Sequence, residues 1–288
     1  MNAVPERIGL IAGRGAFPVN FAQAARRDGH HITALAINGF ASSDLAEHVD
    51  AIHWLGVAQV DTLIRLCHEN GISQLALAGK IDHVAVFNLG QVEPRAYRIL
   101  AKLSDRKTES IVRALIEELE TENIRVLDSS LFLKSLLPAP GLLTPRRPIR
   151  PQEQADMDFA WPLVREIARL DIGQSLVAKD GVVVAVEGVE GTDETIRRGG
   201  QLAGPGTVLV KVSRPCQDFR FDLPVVGLAT IEAMNDAGAS ALAIAAGETL
   251  VFDREQAVAL AQQSDIGIVA REPGEPPDAA PPSCHCEE

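Results

Sequence analysis

Residues 7–18 read Arg7-Ile8-Gly9-Leu10-Ile11-Ala12-Gly13-Arg14-Gly15-Ala16-Phe17-Pro18. A short apolar run enters a turn carrying Gly13 and Gly15, and an apolar-periodic stretch follows to about Asp28. This is the pattern of a buried strand handed directly to a helix. Pro18 fits the first helical turn, where a missing N–H costs nothing. Moving outward, Ile32–Ile37 is a second β-branched apolar run, and Val60–Cys67 reads as a helix closed by Gly71. Leu75–Ala78 is a short strand ending at Gly79-Lys80, and Ile111, Leu115 and Leu119 mark a helix face at four-residue spacing. Ile124–Leu127 returns as a strand. Such alternation predicts a Rossmann-like parallel-sheet domain over residues 1–137.

The pattern breaks where Pro138, Pro140, Pro145, Pro148 and Pro151 cluster with Arg146, Arg147 and Arg150. Residues 138–153 read as an inter-domain linker with little regular structure, its three arginines as solvated linker charges rather than groups facing phosphates or an anionic membrane. Residues 154–271 then form a second α/β domain. It opens with a helix around Phe159–Leu170, and a strand follows at Gly181–Glu187. The next helix starts near Thr192 and stops at Gly199-Gly200, before a strand at Thr207–Val212. Strands at Ala241–Ala246, Thr249–Phe252 and Ile266–Ala270 complete the pattern, with helices near Thr230–Ala237 and from Asp253. Residues 272–288 are acidic and Pro-rich and read as a disordered tail.

A chain of 288 residues suits two domains. The net charge of −12 and 4% aromatic content argue against nucleic acid, which needs a basic surface and stacking platforms. Four cysteines at this length do not make a disulfide framework, so a reducing compartment is expected. The first residues carry no secretory pattern, and no uncharged apolar run reaches the roughly 18 residues of a membrane span. A cytoplasmic protein is expected.

Candidate chemistry concentrates in a few places. The glycines of residues 9–15 allow a phosphate near a helix N-terminus. However, the third glycine of a dinucleotide fingerprint would fall at Pro18, and Ile37-Asn38-Gly39 stands where an acid should end the second strand. In the second half, Glu187, Glu190 and Asp193 surround two glycines and Thr192, a good N-cap. Carboxylates there suit a hard cation with a phosphate, or else they complement the helix dipole. Lys211 lies in an apolar strand, so it snorkels, pairs with an acid or holds an anion. If residues 216–224 are extended, period two places Asp218, Arg220 and Asp222 on one face and Phe219 and Phe221 on the other. That face is either a salt-bridge ladder or the metal ligand, base and anion clamp of pyrophosphate hydrolysis. Cys284-His285-Cys286 lies in the tail and does not define a metal site.

Several of these pieces together resemble one family. Asp171-Ile172-Gly173-Gln174, Ala185-Val186-Glu187 with Glu190-Gly191-Thr192-Asp193, Lys211, Gln217–Pro224, and Gly227 with Thr230 occur in the order and spacing of LpxI-type UDP-2,3-diacylglucosamine pyrophosphatases. Ala12-Gly13-Arg14-Gly15 with Pro18 and the Gly79-Lys80 pair are similar too, so the resemblance spans roughly residues 6–270. It implies an enzyme of lipid A synthesis. This enzyme hydrolyses UDP-2,3-diacylglucosamine to lipid X and UMP with Mg2+, touching the inner membrane transiently. On that resemblance Asp222 falls at the essential acid. Asp193, Glu190 and Asp218 match other acidic motif positions, and our own division makes Asp218 catalytic and Asp193 and Glu190 the metal ligands. Gly13, Gly15, Lys80, Gln174, Thr192 and Lys211 fall at motif positions suited to diphosphate, sugar or uridine. A homodimer is compatible with the sequence. The rival readings are a non-catalytic nucleotide-sugar or lipid-binding protein and a nicotinamide oxidoreductase.

Overall fold

A computed structural model of the chain describes residues 6–81, 92–105, 107–215 and 217–274. They divide into two compact units, one of the residues up to Lys134 with Phe219–Phe221, the other of Ser135–Asp218 with the residues from Asp222 on.

In the first unit the strands are β1 (Arg7–Ala12), β2 (His31–Ile37), β3 (Ala51–Leu55), β4 (Gln74–Ala78) and β5 (Arg125–Val126). They pair in parallel in the order β3-β2-β1-β4-β5, the arrangement of a doubly wound sheet. The helices are α1 (Phe17–Arg27), α2 (Val60–Glu69), α3 (Pro94–Lys102) and α4 (Thr108–Thr121). Pro18 sits in the first turn of α1 as expected, while Arg26 and Arg27 close its last turn, where cations complement the macrodipole. Strand β1 is buried at every position after Arg7, as a central parallel strand requires. Sequence periodicity did not reveal β3 or α3. Strand β3 is an edge strand with Trp54 exposed, so its pattern lacks a continuous apolar run.

The second unit holds β6 (Gly141–Leu142), α5 (Pro151–Arg169), β7 (Ser175–Lys179), β8 (Val182–Val186), α6 (Thr192–Ala203) and β9 (Val208–Lys211). After these come β10 (Val225–Val226), α7 (Leu228–Asp236), β11 (Ala241–Ala245), β12 (Leu250–Val251), α8 (Arg254–Gln263) and β13 (Gly267–Arg271). The main sheet has the order β6-β13-β11-β9-β7-β8. Strands β9, β11 and β13 are parallel, whereas β6, β7 and β8 each run opposite to a neighbour. Strands β10 and β12 form a separate parallel pair.

Period two sorts this sheet's faces. Val208 and Val210 pack with Met157, Trp161 and Val164 of α5. Leu209 packs on the opposite face with Ile196 of α6 and Ile231 of α7. Lys211 has the parity of Leu209, so it belongs to the α6 side.

Residues 138–153, expected as a linker, are built into this unit. Leu142 and Gly141 pair with β13, and α5 begins at Pro151 rather than near Phe159. Arg147 and Glu153 are each 5% exposed and paired at 2.5 Å, with Asp265 on the same guanidinium at 2.9 Å. The arginine that suggested a solvated crossing is a buried clamp. Helix α6 also runs past the expected stop at Gly199-Gly200 to Ala203. Both glycines are inside the helix because it packs too closely for a side chain. A Cβ on Gly199 would lie 2.6 Å from Val177, and one on Gly200 would lie 2.4 Å from the Ala237 carbonyl oxygen. Such close backbone approach offsets the roughly 1 kcal/mol helix penalty of each glycine. The expected tail falls largely on residues 275–288, which lie outside the described residues, as does Cys216.

Candidate active site

The site is built around the end of β9, the carboxyl end of a parallel strand, where open α/β sheets place their ligands. Lys211 is 8% exposed, and its Nζ donates to Thr192 Oγ1 at 2.8 Å. Thr192 in turn donates to Glu187 Oε1 at 2.9 Å. It is the first residue of α6, and the N-cap is Gly191, whose φ of +83° lies in the left-handed region that favours glycine. The hydroxyl expected to cap the helix is therefore free to serve the lysine and the glutamate. Glu187 Oε2 accepts from the Gln174 N–H at 3.3 Å. Gly173 makes that approach feasible, since a Cβ on it would stand 2.1 Å from the Glu187 carbonyl oxygen.

From Gln174 the contacts continue toward the acids. Gln217 Nε2 donates to Gln174 Oε1 at 3.4 Å, and Gln217 Oε1 accepts from the Arg214 N–H at 2.8 Å. The Arg214 Nη1 donates to Asp222 Oδ2 at 3.1 Å, and its Nε lies 3.4 Å from Asp171 Oδ1. Lys211, Thr192, Glu187, Gln174, Gln217, Arg214, Asp171 and Asp222 thus form one polar network within the second unit. It brings two cations among three carboxylates, the mixture needed to hold an anion while keeping a carboxylate near it.

The segment 217–224 does not run extended. The Asp222 N–H donates to the Asp218 carbonyl at 3.0 Å, closing a turn over residues 219–221. Phe219–Phe221 belong to the first unit, where the Ser129 N–H donates to the Phe219 carbonyl and Arg220 pairs with Glu120 at 3.3 Å. The one-face grouping of Asp218, Arg220 and Asp222 is therefore corrected, because a turn abolishes period two. Arg214, three residues beyond β9, stands against Asp222. Sequence periodicity did not single it out, although a basic residue just past the carboxyl end of a central strand was the available signal.

The two expected metal ligands differ. Glu190 accepts from the Gly188 N–H at 3.1 Å and pairs with Arg198 at 2.5 Å. Its own backbone N–H, the Arg198 guanidinium and the Gly188 N–H hold its carboxyl below the usual range. Glu190 thus already organises the β8–α6 turn. Asp193, half-buried on the first turn of α6, has a carboxylate with no hydrogen-bond or ion-pair partner among the described residues. No group of three or more His, Cys, Asp or Glu that could hold a metal occurs among the described residues.

Gly13, Gly15 and Lys80 lie in the first unit. The Gly13 N–H donates to the Ala78 carbonyl, while Arg14 and Lys80 exchange backbone hydrogen bonds at 2.8 and 2.9 Å. A Cβ on Gly13 would meet the Lys80 carbonyl oxygen at 2.8 Å, and one on Gly79 would meet that of Arg14 at 2.8 Å. These glycines let the turn after β1 interlock with the backbone just after β4, and the amides of Gly13 and Arg14 are already used. Gly15 has a φ of +99°, and Arg14 lies over the Phe40 ring at 5.3 Å.

Residues 7–136 match the family model described as the LpxI N-terminal domain, and residues 139–269 match the LpxI C-terminal domain. The chain is 30% identical over 282 residues to a protein of Caulobacter vibrioides named UDP-2,3-diacylglucosamine pyrophosphatase LpxI, covering 94% of this chain and 99% of that one. Among solved structures, the biotin carboxylase subunit of pyruvate carboxylase is 12% identical with a TM-score of 0.25. The biotin carboxylase domain of Hydrogenobacter thermophilus 2-oxoglutarate carboxylase gives the same values. Each match covers 68% of this chain, which spans 41% of the other, and such scores carry no argument about fold or chemistry.

Proposed function

The chain belongs to the LpxI family, and from that premise we propose that it hydrolyses the diphosphate of UDP-2,3-diacylglucosamine to UMP and 2,3-diacylglucosamine 1-phosphate. A water oxygen forms a new bond to phosphorus, the bridging P–O bond breaks, and the two phosphates leave separately. One observation carries this reading: the unbroken contacts from Lys211 through Thr192, Glu187, Gln174 and Gln217 to Arg214 and Asp222. In this reading Asp222 accepts the proton of the attacking water, and Asp218 fixes its approach through the turn they share. Lys211 and Arg214 bind the diphosphate oxygens, and Gln174 and Thr192 orient the substrate. Gly13, Gly15 and Lys80 of the first unit are kept as substrate-binding residues on the family resemblance.

Mg2+ is the cofactor in this proposal. Mg2+ takes one or two carboxylates and completes its shell with water and substrate oxygens, so two acids would suffice here. In this proposal Asp193 would hold it, with Glu190 as second ligand once it gives up Arg198. Bound there, the ion would neutralise phosphate charge.

No described helix is long and apolar enough to cross a membrane. We place the protein in the cytoplasm, in transient contact with the inner membrane that carries its lipid substrate. The test is incubation of the purified full chain with UDP-2,3-diacylglucosamine, with and without EDTA, following UMP. Release that EDTA abolishes and Mg2+ restores supports the reading. Lipid binding without UMP release would support the non-catalytic alternative.

A further inference from the structure

Arg214 is bound less completely than its chemistry allows. A guanidinium carries five N–H donors in a fork that matches carboxylates and phosphates bidentately. Among the described residues its side chain makes a single hydrogen bond, to one oxygen of Asp222 at 3.1 Å. Its Nε faces Asp171 at 3.4 Å without hydrogen-bond geometry, and this buried N–H has no hydrogen-bond partner among the described residues. Two carboxylates therefore share one cation, neither of them in the bidentate arrangement. An unmade hydrogen bond on a buried donor costs free energy, so the guanidinium gains by turning toward an anion that can take it. The side chain is 28% exposed at the carboxyl end of β9, so an anion can reach it.

We propose that Arg214 is a substrate-binding residue held in store by Asp171 and Asp222, and that an arriving diphosphate takes over its guanidinium. The exchange takes the Arg214 guanidinium off the Asp222 carboxylate when a reacting phosphate is at hand. An acid pinned to a guanidinium is a weak base, so water activation is tied to occupancy of the site. No bond is made or broken in the exchange. This inference rests on the diphosphate hydrolysis proposed above.

The experiment uses the full chain and two probes, inorganic diphosphate for binding and UDP-2,3-diacylglucosamine for turnover. Arg214→Ala should weaken diphosphate binding by calorimetry, and raise KM, by about tenfold or more, the loss expected for a charge-assisted hydrogen bond. Arg214→Lys keeps the charge without the fork and should fall between. Asp171→Asn should act in the opposite direction and tighten diphosphate binding, because it removes the competing anion. Asn tolerates the left-handed φ of +57° that Asp171 adopts, so the turn survives. A purely structural Arg214 would give loss in all three variants. Unchanged diphosphate binding in Arg214→Ala, or weaker binding in Asp171→Asn, overturns the proposal. Absence of UMP release from wild type, with the binding differences intact, would sink the substrate reading and leave the role of Arg214 standing.

Discussion

Gly173→Ala should disable the site through a single methyl group. The new Cβ would stand 2.1 Å from the Glu187 carbonyl oxygen and 2.8 Å from its carbon, whereas real Cβ contacts essentially never fall below 3.0 Å. One backbone must retreat by about 0.9 Å, and overpacking of this kind costs about 1–3 kcal/mol. The consequence for chemistry is larger than that for the fold. Glu187 holds Thr192 at 2.9 Å, Thr192 receives Lys211 at 2.8 Å, and Glu187 itself receives the Gln174 N–H at 3.3 Å. A displacement near 1 Å at a substrate-positioning group can reduce turnover by about 100-fold. The assay is kcat/KM for UMP release beside thermal melting of the same preparation. Gly56→Ala is the control, because its Cβ would meet nothing nearer than the Gln59 side-chain oxygen at 3.5 Å, an ordinary contact. Gly173→Ala should melt a few degrees lower and lose most activity, while the control loses little stability. If Gly173→Ala melted and turned over like wild type, the close approach of these backbones would not govern the site.

Asp222→Asn keeps an oxygen for Arg214 but removes the base, so kcat should fall by about 10²–10⁴-fold with the melting temperature nearly unchanged. Equal kcat would remove Asp222 from the reaction. Glu153→Gln breaks a pair in which both side chains are 6% exposed and should cost about 3 kcal/mol, measured by denaturant unfolding. Burial opposes the charge on Glu153, but the Arg147 hydrogen bond and the Arg150 N–H outweigh it and leave the carboxyl lowered. The stability this adds is present above the unfolded value, about 4.3, and is lost as pH falls through the lower folded value. The gap between wild type and Glu153→Gln should therefore narrow below about pH 4. Burial pushes the Cys67 thiol up to about 12, so mass spectrometry after iodoacetamide should find it unlabelled until the chain is unfolded.

Much of the architecture was readable from periodicity. Strand β1, its glycine turn and α1 stand within a residue or two of their expected places, and β2, β4, β9, β11 and α2 do likewise. These elements bury an unbroken apolar run or a clean helical stripe, which the backbone periods convert directly into structure. The errors came where a residue's local habit met a distant neighbour. Gly199 and Gly200 signalled a helix end, but Val177 and Ala237 are packed against them. Arg147 looked like a solvated linker charge, but Glu153 and Asp265 meet it.

The same division runs through the site. The composition of the motifs identified which stretches carry chemistry, because Asp, Lys, Thr and Gln beside glycines at strand ends are legible one segment at a time. Which side chains are partners was decided only in three dimensions. The turn closed by Asp218 and Asp222 carries Arg220 to Glu120, and Arg214, arriving from the end of β9, stands against Asp222 in its stead. Backbone period is a property of near neighbours and is written locally. An ion pair depends on two side chains from separate segments reaching one point, and that point exists only once the chain has folded.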